Sequence, residues 1–319
     1  MREPPLVSVL MPYHEMHDYV DEAIASVEAS THPRWEIVLV DDGSRSAAAR
    51  AAFARLERER AGDARFRFVR QANRGLGAAR NAALAHAQGA LVLPLDPDDL
   101  IHPDYLARAA AALARCPELG FVSCISSLFR DGAAPASARE WIVPYDPPLA
   151  LLLFENGAGT AACVFRREIL ARHRYREDLP AYEDWDLQIA LRQAGVRGEC
   201  LPEVLHHYRI RAAGLAATRA HLEHDRLLAR ILEERLRSAP AELREALFVY
   251  LRQVSELRGL GPGALQLSGR RAALFGVARS AYHRWLKALL FAHLPERSRL
   301  RLTATAKRLL GGRPVGRSG

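Results

Sequence analysis

Four short apolar runs, residues 6–11, 36–40, 66–69 and 90–95, alternate over the first hundred positions with segments of helical periodicity. This alternation is the strongest constraint on the fold, because strands separated by helices pair in parallel and need cover on both faces of the sheet. After the first run Val20, Ala23, Ile24 and Val27 recur at helical spacing, with Asp18 placed as the cap. A small-residue helix over 75–87 follows the third run, and the continuous apolarity of 90–95 predicts an interior strand. Pro103 then opens a helix that aligns Leu106, Ala109, Ala110 and Leu113. The expected class is α/β, a Rossmann-like and mostly parallel sheet flanked by helices.

Ligands of such sheets collect at the carboxyl ends of the strands, and two of these ends carry acids. The second run leads into Asp41-Asp42-Gly43-Ser44, a turn whose carboxylate Asp42 suits the imide N–H of a nucleobase but which is equally good loop chemistry. The fourth leads into Asp96-Pro97-Asp98-Asp99. Three carboxylates after a buried strand form a hard oxygen site for Mg²⁺ or Mn²⁺, or else an acid-rich capped turn; spacing alone permits both. Arg74, Arg80 and Asn81 flank Gly75-Leu76-Gly77, which is too short for a dinucleotide fingerprint.

Residues 121–208 are mixed in pattern and include a Gly/Ala/Pro-rich loop at 131–138. Within them Tyr182-Glu183-Asp184-Trp185-Asp186 opens a helix faced by Leu187, Ala190, Leu191 and Ala194. Acids at a helix start serve capping and the macrodipole, so Glu183 and Asp184 have a structural explanation. The functional one makes Asp184 a general base beside an aromatic wall, Trp185, that stacks on a sugar ring. His206, His207, Tyr208, Arg209 and Arg211 form a dense polar group, either a strand with a solvated face or a source of one cation for a diphosphate.

Taken in order, Val7-Ser8-Val9-Leu10-Met11-Pro12-Tyr13, Val40-Asp41-Asp42-Gly43-Ser44, Asn73-Arg74-Gly75, Ala79-Arg80-Asn81, Leu95-Asp96-Pro97-Asp98-Asp99 and Glu183-Asp184-Trp185 resemble glycosyltransferase family 2. The resemblance covers about residues 5–212 and implies a GT-A-type catalytic domain over 1–212, with a donor half to about 115 and an acceptor half from about 116; the helical, basic extension over 213–319 is read from composition and periodicity alone. It also implies an inverting transfer from a nucleotide-diphosphate sugar, UDP most often, with Mn²⁺ or Mg²⁺ at the aspartate cluster. By position Pro12, Tyr13, Asp42 and Arg80 fall among the nucleotide-binding residues, Asp98 at the ribose, Asp96 and Asp99 at the metal and Asp184 at the base. Glu183, Trp185, Asn73 and Arg209 are secondary candidates. The acceptor implied is a glycan or lipid-linked hydroxyl in envelope or polysaccharide assembly.

The sequence departs from the family pattern at His14, where Asn is frequent, and at Ser46, where an acid is frequent. The Gln-x-x-Arg-Trp motif of processive synthases is absent, which favours transfer of single sugars. A sugar nucleotidyltransferase would want a Gly-rich, basic phosphate loop near the start, and residues 12–18 contain no Gly, Lys or Arg. A non-catalytic nucleotide-sugar-binding module would have no need of the three aspartates together with Asp184.

The four cysteines show neither zinc spacing nor disulfide density, and the run 6–11 is too short for a signal-peptide core. The expected setting is cytoplasmic, peripheral at most to the inner face of a membrane. Net charge is +8, yet residues 270–319 hold twelve Lys or Arg against one acid, Glu296, so the basicity belongs to the tail. There Ala281, Tyr282, Trp285 and Leu289 form a stripe beside Arg279, Arg284 and Lys287, the pattern of a helix lying on an anionic membrane surface; nucleic acid is the disfavoured partner. Full-length protein should then co-sediment with anionic vesicles at low salt, and a version ending at Gly269 should not. Full-length protein left in the supernatant would assign the stripe to packing on the catalytic domain.

Overall fold

The computed structural model describes residues 3–142, 144, 152, 162–211, 227, 230–231 and 234–235. The elements run β1 (Val7–Tyr13), α1 (Val20–Glu28), β2 (Trp35–Asp42), α2 (Ala47–Glu59), β3 (Phe66–Gln71), α3 (Leu76–His86) and β4 (Leu91–Pro94). They continue with β5 (Leu100–Ile101), α4 (Tyr105–Arg115), β6 (Leu119–Arg130), β7 (Glu140–Ile142), β8 (Val164–Arg166), α5 (Arg167–Arg172), α6 (Glu183–Gln193) and β9 (Arg197–Ile210).

One sheet carries the order β3-β2-β1-β4-β8-β6-β9-β5, with β7 paired to β6. Strands β3, β2, β1 and β4 are mutually parallel. Strand β8 is antiparallel to both β4 and β6, while β9 runs parallel to β6 and β5 antiparallel to β9. The alternate residues of β1 explain the layers. Val7, Val9, Met11 and Tyr13 pack with Val20, Ala23, Ile24 and Val27 of α1, Phe53 and Leu56 of α2 and Leu106 of α4. On the other face Leu10, Val38 and Val92 pack with Ala79 and Ala83 of α3 and Leu187 and Leu191 of α6. Burial on both faces is why these strands read as unbroken apolar runs. The run 66–69 instead forms the edge strand β3, where Arg60 lies 4.8 Å above the Phe66 ring.

Three local expectations change. Asp18 does not cap α1: the helix is entered through a turn in which Met16 C=O accepts from Tyr19 and Val20 N–H, leaving Tyr19 at the cap position. Helix α2, given no bounds above, buries Ala49, Phe53 and Leu56 at helical spacing and is capped by Ser46, Oγ accepting from Ala49 N–H at 3.1 Å. Strand β2 runs through Asp41 and Asp42, so the acidic turn begins inside the sheet. Expectations for 213–319, including the tail, lie outside the described residues apart from Leu227, Arg230, Ile231, Glu234 and Arg235. Among the described residues no helix is long and apolar enough to cross a membrane.

A buried polar pin fixes the connection from α3 to β4. Glu36 Oε1 accepts from Ser8 Oγ at 2.5 Å and from Gln88 N–H at 2.6 Å, and Gly89 N–H donates to Ser8 Oγ at 2.8 Å. A Cβ on Gly89 would come within 2.6 Å of Leu6 O and 2.8 Å of Leu91 O, backbone atoms with nowhere to move. Gly89→Ala should therefore destabilise by about 1–3 kcal/mol, read as a lower urea midpoint with an unchanged slope; an unchanged midpoint would show that the chain relaxes freely here.

Candidate functional site

The carboxyl ends of β1, β2 and β4 form one rim. On β2 Asp41 turns back on its own loop, Oδ1 accepting from Ser44 N–H at 3.0 Å and Ser44 Oγ at 2.7 Å. Asp42 is buried and organises the neighbouring loop: it accepts from Gln71 Nε2, Arg74 N–H and Gly75 N–H, each at 2.8 Å. Gly43, at φ +70°, lets the loops close, since a Cβ there would lie 2.6 Å from Asn73 N. Exposed Asn73 lies 3.3 Å from the His14 ring, whose Nδ1 is 2.9 Å from Asp42 O.

The end of β4 is held by a buried cation. Arg80 of α3 is 1% exposed, with Nη2 2.7 Å from Asp96 Oδ1 and Nη1 on Glu183 Oε1. Burial pulls against its charge, and Asp96 and Glu183 more than offset this, so the guanidinium stays protonated. Among the described residues its Nε has no hydrogen-bond partner.

Strand β9 supplies the next contacts. Arg209 N–H donates to Asp99 Oδ1 at 2.9 Å and its Nε to Asp98 O at 2.8 Å, while Nη2 meets Glu22 of α1 at 2.5 Å. His206 Nε2 stands 3.2 Å from Asp99 Oδ2 and Nδ1 2.9 Å from Ser126 Oγ. Arg211 Nε lies 2.6 Å from Asp98 Oδ2. His206 and Arg209 are buried, so the solvated-strand reading of this segment does not hold.

Desolvation, with the charges of Asp99 and Asp96, pushes the Asp98 carboxyl up to about 7 against the pull of Arg211. Burial likewise raises Asp99. Asp184, at the start of α6, is partly exposed; desolvation and then Glu183 push it up to about 7, while Arg80 and its hydrogen bond from Trp185 N–H, 2.7 Å, pull it down. Tyr182, just before it, sits at φ +62°, a left-handed conformation that costs a non-glycine residue free energy and sets the entry angle of Glu183 and Asp184. The Tyr208 hydroxyl is held protonated by burial and by Asp99, Asp96, Asp98 and Asp184 together, so these four carboxylates share one electrostatic neighbourhood.

Several sequence candidates also carry framework contacts. Tyr13 is fully buried, its hydroxyl donating to Ala49 O at 2.7 Å, and offers no free face to a base. Trp185 is buried with Nε1 on Leu152 O at 2.7 Å, so the aromatic wall expected beside Asp184 faces the core. Pro12 is buried in β1, and Glu183, Arg80 and Arg209 are committed to ion pairs. His206 and Arg211 stand in the sequence only as members of a dense polar group, because the carboxylates that give each its individual place, Asp99 and Asp98, lie more than a hundred residues away.

For a divalent cation the donor chemistry fits, with a gradation. Asp96 and Asp98 side chains are 28% and 13% exposed, whereas Asp99 is 6% exposed, with Oδ1 accepting from Arg209 N–H and Oδ2 facing His206. Hard carboxylate oxygens, with Asp98 crowded by Asp99 and Asp96, suit Mn²⁺ or Mg²⁺. The Arg80 bridge has a direct test. Arg80→Ala strands Asp96 and Glu183 and should cost about 3–5 kcal/mol by urea denaturation, and Arg80→Lys, which loses the fork, should recover only part of it. Full stability of Arg80→Ala would show that the bridge is not structural.

Comparison with known proteins bears on the family and the fold. The Bacillus subtilis glycosyltransferase TuaG, named for teichuronic acid biosynthesis, is 37% identical over 105 residues, 33% of this chain and 40% of its own length. The Nostoc sp. glycosyltransferase alr2836 is 30% identical over 171 residues, 52% of each chain. This chain thus spans about half or less of these relatives. Among solved structures, Staphylococcus aureus TarS 1-349 with UDP-GlcNAc superposes at TM-score 0.58 and 18% identity, covering 92% of this chain and 82% of that one. The Pyrobaculum calidifontis mannosyltransferase PcManGT with GDP-Man and Mn²⁺ gives 0.54 and 24%, covering 98% and 89%. At these identities the likeness is one of fold, the GT-A fold. The description Glycosyl transferase family 2 matches residues 8–173, more than half of the sequence, and the chain belongs to that family.

Proposed function

We propose that the protein transfers a single sugar, with inversion, from a nucleotide-diphosphate donor to an acceptor hydroxyl of an envelope or polysaccharide glycan. The observation that carries this is Asp184, a partly exposed carboxylate pushed up to about 7 within the same field as Asp96 and Asp98. A base poised near neutral pH accepts a proton without being permanently protonated. A UDP-sugar is the preferred donor, in keeping with the UDP-GlcNAc complex of TarS and the teichuronic acid role in the name of TuaG.

In this reading the acidic loop after β2, ordered by Asp42, receives the nucleoside, and exposed Asn73 and half-buried His14 border the base. Asp96 and Asp98 are the carboxylates with open surface that would hold Mg²⁺ or Mn²⁺, the second being the ion named in the PcManGT complex. Such an ion, when bound, neutralises the departing diphosphate. Asp99, held by Arg209 N–H and facing His206, is the least accessible of the three carboxylates and stands behind the other two. Asp184 takes the acceptor proton as the hydroxyl oxygen attacks the anomeric carbon on the side away from the diphosphate. Arg80 and Glu183 keep that carboxylate in register with Asp96.

Asp184→Asn should lower kcat by on the order of 10²-fold or more with donor KM little changed. Because the working form of Asp184 is ionised, wild-type kcat should rise with pH through about 7 and level off above it. An equal loss of donor binding in Asp184→Asn would move the residue to the donor pocket, and a product with the donor's anomeric configuration would overturn the single displacement.

A further inference from the structure

The cations around the Asp96, Asp98 and Asp99 carboxylates are not equally fixed. Arg80 is 1% exposed between two anions. Arg209 is buried with Glu22, Asp131 and the Asp98 carbonyl as partners and its guanidinium 4.7 Å from the Phe129 ring. Arg211, one residue beyond β9, is different: its side chain is 18% exposed, and among the described residues its one ion pair is Asp98. The guanidinium lies 5.2 Å from the Tyr19 ring, and its Nε meets Asp98 Oδ2 at 2.6 Å as a charge contact without hydrogen-bond alignment. A contact of that kind is readily exchanged for a better anion. It also covers one oxygen of the more enclosed of the two carboxylates assigned to the metal, and among the described residues no three acids, histidines or cysteines are already converged on an ion.

We propose that Arg211 is a resident counter-cation of Asp98 that competes with the divalent ion and is released when a nucleotide diphosphate offers its guanidinium another anion. The inference rests on the metal assignment above and adds an order to it. Without nucleotide, guanidinium and metal claim the same carboxylate and repel each other. With nucleotide, the diphosphate accepts the guanidinium by bidentate hydrogen bonding and leaves Asp98 to the metal. Metal and nucleotide then tighten one another reciprocally, as linkage requires.

The test titrates Mn²⁺ alone, free ion being read by electron paramagnetic resonance, into wild type, Arg211→Gln, Arg211→Lys and Asp98→Asn, with and without UDP or GDP. Arg211→Gln should bind Mn²⁺ about 10-fold tighter than wild type without nucleotide. It should also lose most of the tightening that UDP or GDP gives the wild type, while Arg211→Lys stays close to wild type and Asp98→Asn binds weakly throughout. If Arg211→Gln fails a thermal-melting check, Arg211→Ser takes its place. Unchanged or weaker Mn²⁺ affinity in the Arg211 variant overturns the competition. Sugar transfer by the same wild-type sample keeps the readings apart: transfer with unchanged Mn²⁺ affinity in the variant sinks this inference alone, and no Mn²⁺ binding by any of the proteins sinks it together with the metal assignment.

Discussion

The site depends on a guanidinium taken out of water. Arg80 joins Asp96, at the end of β4, to Glu183, at the start of α6, and so ties the parallel half of the sheet to the helix that presents Asp184. Such a bridge gains little net stability, because the desolvation of three charges offsets most of their attraction. What it supplies is register: two carboxylates nearly ninety residues apart in sequence are held to one cation with two fixed donor directions. Arg209 repeats the device at the other side, joining the Asp98 and Asp99 turn to Glu22 of α1.

These two arginines leave the cluster short of positive charge, and that shortage is useful. Asp98 and Asp184 are both raised to about 7 with desolvation as the leading cause, yet the second influences differ. Asp98 is crowded by Asp99 and Asp96, which makes it a place for an added cation. Asp184 is crowded by Glu183, itself engaged by Arg80, which leaves a carboxylate that exchanges its proton near neutrality. One acid-rich environment thus supports two roles, separated by which neighbours each carboxylate faces.

The first half of the fold was legible because its signals are local: alternating runs and helices, Pro103 before α4, and acids at two strand ends. Asp42, Asp96, Asp98 and Asp99 lie at strand ends as the sequence indicated. What escaped was long-range. Tyr13 and Trp185 look like ligand-facing aromatics in a motif, but only the packing of α2 against β1 and the hydrogen bond to Leu152 show that each is interior. Arg80 reads as an ordinary helical arginine until Glu183 is brought beside it. The two-residue strand β5 was invisible because its pairing partner, β9, comes about a hundred residues later.

Strand β8 deserves a mechanical description. It is three residues long and runs against both neighbours, with Leu91 opposite Arg166 and Phe165 opposite Val92 on one side and Phe121 on the other. The sheet is therefore continuous, but its two halves are sewn together by a three-residue stitch, while the Arg80 strut crosses at the carboxyl end of β4. A seam with few ladder bonds and one charged cross-tie is where halves from different relatives could be exchanged with least disturbance. A chimera joined there would take the parallel β3-β2-β1-β4 half from one parent and the β6-β9 half from the other, provided that Arg80 and Glu183 travel as a matched pair.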